Sequence, residues 1–193
     1  MPINLKLFEK TLSEDLKFKG RIITVHVDDV ELEDGSLSKR EVVDHGGGVS
    51  VVVLTENNEI LLVRQFRYPY KEVISEIPAG KLEKGENPLE AGIRELEEEC
   101  GVIAEKVFSL GTVYPTVAYC SEIIYLYAAT GLTFGEQDLD EDEFLNVEKM
   151  PLEDAVKKVL SGEITDGKTQ ALLLKTFMHL KEKSLHEFLI TED

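Results

Sequence analysis

Three glutamates lie close together near the middle of the chain, at spacings that could bind a metal ion. If the segment is helical, Glu95, Glu98 and Glu99 fall within an arc about 100° wide on one side. Like charges four residues apart cost a few tenths of a kcal/mol unless a cation lies between them. Carboxylate oxygens favour Mg²⁺ or Mn²⁺ over zinc. The spacing indicates a divalent-cation site, and the alternative is an ordinary solvated acidic face.

The residues around the glutamates predict the helix that would carry them. Asn87 is a good N-cap, Pro88 suits the first helical position, and Glu90 completes a start that resembles a capping box. Gly101 is a residue at which helices end. The apolar residues expected to be buried share one stripe of this helix: Leu89, Ile93, Leu96 and Cys100.

A longer pattern surrounds these glutamates, and its residues resemble the Nudix box. The matching positions are Gly80, Glu86, Arg94, Glu95, Leu96, Glu98, Glu99, Gly101 and Val102. The resemblance implies a hydrolase that cuts a nucleoside diphosphate linked to another group, with Glu95, Glu98 and Glu99 as metal ligands. It also implies that the main-chain carbonyl of Ala79 binds metal. Glu86 and Arg94 would hold the preceding loop against the helix, or form an ordinary surface ion pair.

A second acidic segment, residues 140–143, comes just before Phe144. Such a charge run is usually a hydrophilic turn. In similar enzymes this loop supplies the base, so the resemblance implies Glu143 as an additional metal ligand and Glu141 as general base, or these two roles exchanged. Together with Glu98, these residues form the predicted catalytic set.

Features outside the box resemble the ADP-ribose pyrophosphatase branch of the Nudix family. They are the segments 40–43, 46–48, 63–68, 76–80 and 140–144. The resemblance implies that Arg67 contacts the diphosphate or terminal ribose, that Arg40 and Glu41 face the adenine, and that Glu122 reaches the terminal ribose. The rest of the predicted substrate-binding set is Lys81, Thr116, Val117 and Ala118.

One departure from the branch supports a different substrate. The branch carries Ser-Pro-Gly where this chain reads Thr116, Val117 and Ala118. The alternatives are therefore another nucleoside diphosphate sugar, a dinucleotide polyphosphate or NADH. A non-catalytic Nudix domain that senses a nucleotide is a further alternative, although the metal carboxylates are intact.

Composition restricts the partners and the compartment. The 193 residues carry a formal net charge of -17, which would repel a nucleic acid, because such binding depends on Lys and Arg along the phosphates. No stretch approaches the roughly 18 apolar residues of a membrane span. Residues 1–10 lack the order of a secretion signal. Cys100 and Cys120 have no paired spacing, which argues against a disulfide framework. We expect a cytoplasmic protein with a small-molecule substrate.

The elements that must position these residues predict an α/β fold. Alternation indicates strands at 21–31 and 42–43 forming an N-terminal hairpin, and a central hairpin of 49–55 and 60–66. Further strands are predicted at 105–114, 122–129 and 143–147, and helices at 151–161 and 169–189.

This order of elements is typical of helices on the faces of a mixed sheet. The resemblance implies a Nudix-type α/β/α sandwich with a small N-terminal antiparallel segment. We expect an N-terminal β extension at residues 1–45 and the hydrolase domain at 46–193. In similar enzymes the extension helps to form a homodimer.

Overall fold

The structure is a computed structural model that describes residues 7–139 and 143–182. The chain divides into two compact units, Met1–Gly47 with Tyr114–Glu122, and Gly48–Val113 with Ile123–Asp193. The strands are β1 Lys10–Lys19, β2 Ile23–Glu31, β3 Leu37–His45, β4 Gly48–Val53, β5 Glu59–Arg67, β6 Glu72–Glu76, β7 Ala79–Lys81, β8 Val102–Val113, β9 Ile124–Phe134 and β10 Leu145–Pro151. The helices are α1 Pro88–Cys100, α2 Leu152–Ser161 and α3 Gly167–Glu182.

In the first unit, β1, β2 and β3 form an antiparallel sheet in that order. The hairpin predicted from the sequence corresponds to β2 and β3, and β1 was not predicted. All of β1 is exposed, and its apolar residues Leu12, Leu16 and Phe18 alternate only in part with polar ones, because Glu14 interrupts them. The 114–122 segment joins this unit through Val43, whose N–H donates to Tyr119 O at 2.7 Å and whose carbonyl accepts from Ser121 N at 2.9 Å.

The second unit contains a mixed sheet in the order β7-β4-β9-β8 and an antiparallel sheet in the order β10-β5-β6. β4 runs parallel to β9, and its other neighbour is β7. The predicted central hairpin is therefore wrong: both edges of β4 are taken by other strands, and β5 pairs with β6 and β10. Only the isolated bridge between Leu54 and Ile60 links the ends of β4 and β5 among the strand pairs of the described chain.

The core of the second unit has two sides because successive strand residues point to opposite faces. The odd-numbered valines of β4 pack in a cluster that includes Leu96 and Cys100 of α1. Val52 of β4 packs in a second cluster, which includes Leu152 of α2 and Leu172 of α3. Helices thus cover both faces of the sheets, and the predicted α/β/α sandwich is confirmed.

The buried stripe of α1 differs from the prediction. Leu96 and Cys100 are buried, but Leu89 and Ile93 are 37% and 44% exposed. The helix instead turns Gly92 toward β4, where a Cβ would lie 3.0 Å from the nearest atom of a β4 valine. Because Gly92 and Glu99 lie on the same side of the helix, this rotation also buries Glu99.

The ends of α1 follow the prediction. The side chain of Asn87 accepts a hydrogen bond from Leu89 N at 2.9 Å, so it is the N-cap. Gly101 closes the helix with a φ of 61°, in the left-handed region that favours glycine. Residues 183–189, where the sequence predicts that the last helix continues, lie outside the described residues. None of the described helices combines the length and the apolar character that crossing a membrane requires.

Candidate active site

Glu99 is a buried carboxylate at the C-terminal end of α1. It is 1% exposed, and its Oε2 accepts a hydrogen bond from the main-chain N–H of Ala79 at 2.9 Å. The chain before Ala79 is fixed to β4, because Pro78 O accepts from Ser50 Oγ and Val51 N, each at 3.0 Å. The turn between β6 and β7 therefore holds the Ala79 backbone against Glu99.

Glu95 lies one helical turn before Glu99 and packs against Gly80. A Cβ added at Gly80 would lie 1.7 Å from Glu95 Cδ, so any larger residue would displace the carboxylate. Because Gly80 has no side chain, the Glu95 carboxylate can occupy this space. Lys81, the next residue, ends β7 with an exposed side chain.

Arg94 connects the loop before α1 to two of the predicted metal ligands. Its Nε and Nη2 donate to Glu86 at 3.1 and 3.3 Å. Its Nη1 lies 3.0 Å from a Glu95 oxygen and 2.8 Å from a Glu98 oxygen. Glu86 in turn accepts from Glu83 N at 2.9 Å, which closes the loop. The position of Arg94 agrees with the loop-holding role that the sequence resemblance implies, but its contacts to Glu95 and Glu98 were not foreseen.

Burial and crowding raise the pKa values of the carboxylates on α1. Burial raises the pKa of Glu99 to about 8, against the lowering effect of the Ala79 N–H, and the charges of Glu95 and Glu143 add to the rise. Burial also raises the pKa of Glu95, opposed by Arg94 and reinforced by Glu98 and Glu143. The structure therefore brings Glu143 into the electrostatic neighbourhood of Glu95 and Glu99.

The segment that leads to the acidic loop is bound to the end of α1. Gly135 N donates to Gly101 O, the side-chain amide of Gln137 donates to Glu99 O, and Asp138 N donates to Glu98 O at 3.0 Å. These contacts satisfy carbonyls at the helix C-terminus. Sequence reasoning missed Gln137, and nothing in its local pattern distinguishes it from other polar loop residues. Glu141, the predicted general base, lies outside the described residues.

Arg67, predicted to contact the diphosphate or the terminal ribose, is paired with a buried carboxylate. Its Nε and Nη2 lie 2.5 and 2.8 Å from the two oxygens of Glu76. Glu76 also accepts from Lys168 at the start of α3. Sequence reasoning did not assign a role to Glu76 or Lys168. Their contact spans 92 positions, so no local spacing could reveal it.

Six predicted substrate-binding residues lie in the first unit: Arg40, Glu41, Thr116, Val117, Ala118 and Glu122. Arg40 donates from Nε and Nη2 to Glu9 at 2.8 and 2.6 Å. Glu41 is exposed on β3. One oxygen of Glu122 lies 3.4 Å from the His45 ring nitrogen Nδ1.

The segment 116–118 forms a turn in the first unit. Thr116 O accepts from Cys120 N at 3.2 Å. Val117 is 82% exposed, and Ala118 is also exposed. The turn therefore presents the two residues that depart from the Pro-Gly of the ADP-ribose pyrophosphatase branch.

The donor chemistry of α1 fits a hard divalent cation. Within residues 7–139 and 143–182, no three His, Cys, Asp or Glu side chains are already grouped as metal ligands. Two of the carboxylates on α1 instead contact Arg94. Glu99 has a buried oxygen-donor carboxylate beside the Ala79 backbone, and a cation there would offset the crowded negative charge.

The α/β/α sandwich sets the carboxylates of one helix against a strand turn, an arrangement of oxygen donors that suits a divalent cation. The family described as NUDIX domain matches residues 44–177, and the one described as nucleoside diphosphate sugar hydrolase N-terminal domain matches residues 9–43. The chain belongs to the NUDIX family. It is a hydrolase acting on pyrophosphate bonds, and the resemblance stated from the sequence is confirmed.

Similar proteins include two bacterial relatives and one solved structure. The chain is 44% identical to an ADP-ribose pyrophosphatase of Bacillus subtilis over 91% of this chain and 95% of the relative. It is 42% identical to a methanol dehydrogenase activator of Bacillus methanolicus over 94% of this chain and 99% of the relative. The crystal structure of an ADP compounds hydrolase shares the fold, with a TM-score of 0.79 at 22% identity, over 90% of this chain and 95% of that one.

Proposed function

We propose that this protein hydrolyses ADP-ribose to AMP and ribose 5-phosphate with Mg²⁺, or alternatively Mn²⁺, as cofactor. The observation that carries the proposal is the pair of carboxylates Glu95 and Glu99, set on one side of α1 against Ala79 and Gly80. The Bacillus subtilis relative named ADP-ribose pyrophosphatase supports the choice of substrate.

The proposed ligands are oxygen donors from α1 and its surroundings: Glu95, Glu98, Glu99, Glu143 and the carbonyl of Ala79. A divalent cation bound there lowers the pKa of the attacking water and offsets the charge of the diphosphate. The buried position of Glu99 keeps one ligand fixed by the Ala79 N–H. Glu98 is more exposed than Glu99 and stands on the solvent side of the set.

Proton removal from the attacking water is assigned to the acidic loop. Glu141 is proposed as general base and Glu143 as the additional ligand, or the two in exchanged roles. The anchoring of Gly135, Gln137 and Asp138 to the end of α1 supports this assignment, because it holds the approach to the loop beside the carboxylates.

The remaining substrate contacts are proposals that rest on the family resemblance. Arg67 would bind the diphosphate or the terminal ribose, Lys81 would contact the substrate, and Arg40 and Glu41 would face the adenine. The terminal ribose would meet Glu122 and the turn containing Thr116, Val117 and Ala118. We also propose that the protein is a cytoplasmic homodimer.

The test is a hydrolysis panel with Mg²⁺ or Mn²⁺ in ¹⁸O-labelled water. The panel contains ADP-ribose, nucleotide sugars, dinucleotide polyphosphates and NADH. We expect the highest kcat/KM with ADP-ribose, and the product that carries the label identifies the phosphorus attacked. Preference for another member would support the alternative raised by Val117 and Ala118. Nucleotide binding without any Mg²⁺-dependent or Mn²⁺-dependent cleavage would contradict the enzymatic proposal and favour a sensor.

A further inference from the structure

The guanidinium group of Arg67 is held along one edge. Its Nε and Nη2 face the two oxygens of Glu76 at 2.5 and 2.8 Å, a side-on geometry that fixes the plane of the group. The Arg67 side chain is 37% exposed, whereas that of Glu76 is 3% exposed. Its Nη1 donates to no residue in the described part of the chain. Arg67 therefore has a fixed edge and an edge that a second anion can reach.

Glu76 is itself fixed by the start of α3. Lys168 donates to the Glu76 carboxylate and lies 2.9 Å from Asp166. The residues that follow Glu76 and Lys168 form a second link, because Ile77 N donates to Thr169 Oγ1 at 2.9 Å. The two links hold the end of β6 to the helix. Glu76 cannot turn away from Arg67 without breaking a buried contact with Lys168.

Glu76 lies on the side of its sheet that faces α1. Glu76 is paired in register with Val63, and Val63 packs in the cluster that contains Leu96 and Cys100 of α1. The hydrogen bond with Glu76 raises the pKa of Arg67 against the effect of burial, and the charge of Glu99 raises it further. Arg67 is thus a cation close enough to Glu99 for their charges to interact.

From this geometry we propose that Glu76 is a positioning residue, which holds Arg67 so that its open edge binds the non-bridging oxygens of the diphosphate. The inference rests on the proposed function and adds a residue to it. Lys168 of α3 binds the Glu76 carboxylate at the end of β6. Glu76 in turn orients Arg67 for the substrate. Arg67 reaches the diphosphate already oriented, and little side-chain freedom is lost on binding.

The alternative interpretation is that Arg67 and Glu76 form a buried ion pair with a structural role only. Removing one partner of such a pair is destabilising whatever the function, because it leaves a charge without compensation. A loss of stability in a Glu76 variant therefore does not distinguish a positioning role from a purely structural one. The distinction requires a readout that depends on Arg67 acting through Glu76.

The experiment measures kcat and KM for ADP-ribose, and the unfolding temperature, in wild type, Arg67→Ala, Glu76→Gln and the double variant. We expect each single change to raise KM roughly tenfold or more, with a smaller fall in kcat. Because Glu76 acts through Arg67, adding Glu76→Gln to Arg67→Ala should change KM by less than about twofold. A purely structural Glu76 would raise KM by the same factor in both backgrounds.

Chemical rescue sharpens the test. Guanidinium ion at millimolar concentration should restore part of the kcat/KM of Arg67→Ala, because the Glu76 carboxylate can hold the ion where the side chain was. It should not restore the double variant, which lacks that carboxylate. Rescue of both variants, or of neither, would overturn the proposal.

A conservative variant and a remote control complete the design. If Glu76→Gln does not fold, Glu76→Asp takes its place, because it keeps the charge but has a shorter side chain. This variant should still raise KM. A wild-type KM in Glu76→Asp would overturn the proposal. Glu59→Gln removes a more exposed ion pair of the same unit, with Lys149 at 2.8 Å, and should leave KM unchanged. Wild type that cleaves no member of the panel refutes the proposed function, whereas active wild type with an unchanged KM in Glu76→Gln refutes this inference alone.

Discussion

The two units of this protein bury their carboxylates to different depths, since the most buried carboxylate described in the first unit, Asp28, is still 7% exposed. The second unit buries them: Glu99 is 1% exposed and Glu76 is 2% exposed. In the described part of the first unit several ionic contacts lie at the surface, as between Arg40 and Glu9 or between Lys39 and Asp29. The whole of β1 is exposed as well.

The difference identifies where the chemistry lies. A buried carboxylate lowers stability unless a cation or a donor compensates it, so its retention in a core position calls for a function. An exposed ion pair contributes little to stability, and a ligand can replace one partner at small cost. We therefore expect changes at the buried carboxylates of the second unit to reduce catalysis far more than stability. Changes at exposed ion pairs of the first unit should affect substrate binding more than stability.

The largest expected effect is that of Glu99→Gln. The substitution keeps the shape of the side chain and a possible hydrogen bond from Ala79, but it removes the charge that would bind a cation. Turnover with Mg²⁺ should fall by orders of magnitude. The unfolding temperature without metal should stay the same or rise, because a buried carboxyl whose pKa is raised to about 8 is replaced by a group that does not ionise.

Glu97→Gln is the matched control on the same helix, since Glu97 is exposed on α1. It should keep both the wild-type activity and the wild-type response to Mg²⁺. Equal activity of Glu99→Gln and wild type would remove the basis for contrasting the two units.

Local sequence pattern predicted this part of the site because its residues lie within one short segment. The box, the N-cap Asn87 and the helix end at Gly101 all depend on neighbours in sequence. The orientation of α1 could not be predicted in the same way. Periodicity favoured Leu89 and Ile93 as buried residues, but contact of Gly92 with β4 decided which face turned inward.

Long-range pairing explains most of what the sequence did not reveal. β4 and β5 are neighbours in sequence and resemble a hairpin, yet β4 pairs with β7 and β9, and β5 pairs with β6 and the distant β10. Glu76 and Lys168 meet only because α3 returns to the end of β6. Hydrophobic pattern predicts that a segment is a buried strand, but it does not identify the segment beside it.

The second expected effect is that of Gly80→Ala. The added Cβ would overlap the Glu95 carboxylate, at 1.7 Å from its Cδ, and a flexible side-chain end can move away. Activity should therefore fall by at least about tenfold, because a misplaced ligand or catalytic group costs that much. The unfolding temperature should change little.

Gly167→Ala is the control, since a Cβ there meets nothing within 4 Å. This variant should match wild type in both measurements. An active Gly80→Ala enzyme would show that the position of Glu95 does not matter for turnover, and a strongly destabilised one would show that the clash is not relieved by movement of that side chain.

A smaller effect is expected from Arg40→Ala in the first unit. Arg40 is partly exposed and pairs with Glu9, so its loss should leave the unfolding temperature nearly unchanged. KM for ADP-ribose should rise several-fold while kcat stays near wild type, which is the signature of lost uniform binding. Lys39→Met, a change of the adjacent cation paired with Asp29, should leave KM unaltered. A fall in kcat without a change in KM would contradict the assignment of Arg40 to substrate binding.

The smallest effect concerns His26, a mostly buried ionisable group of the first unit. Its Nδ1 lies 2.5 Å from Asp28, and its Nε2 lies 3.3 Å from Asp44. The hydrogen bond with Asp28 raises the pKa of His26, burial opposes the rise, and the charges of Asp28, Asp44 and Glu14 add to it. The protonated ring is therefore bound more tightly in the folded protein than in the unfolded chain.

The stability that His26 contributes should be fully present below about pH 6.5, the pKa of an unperturbed histidine. It should be lost as pH rises through the higher pKa of the folded protein. Thermal unfolding of wild type and His26→Gln across this range measures the difference, and NMR titration of the ring gives the folded-state pKa directly. A His26 pKa at or below about 6.5 would show that the aspartates of this unit do not stabilise the protonated ring. The ion pairs of the unit would then be weak even where they are shielded from solvent.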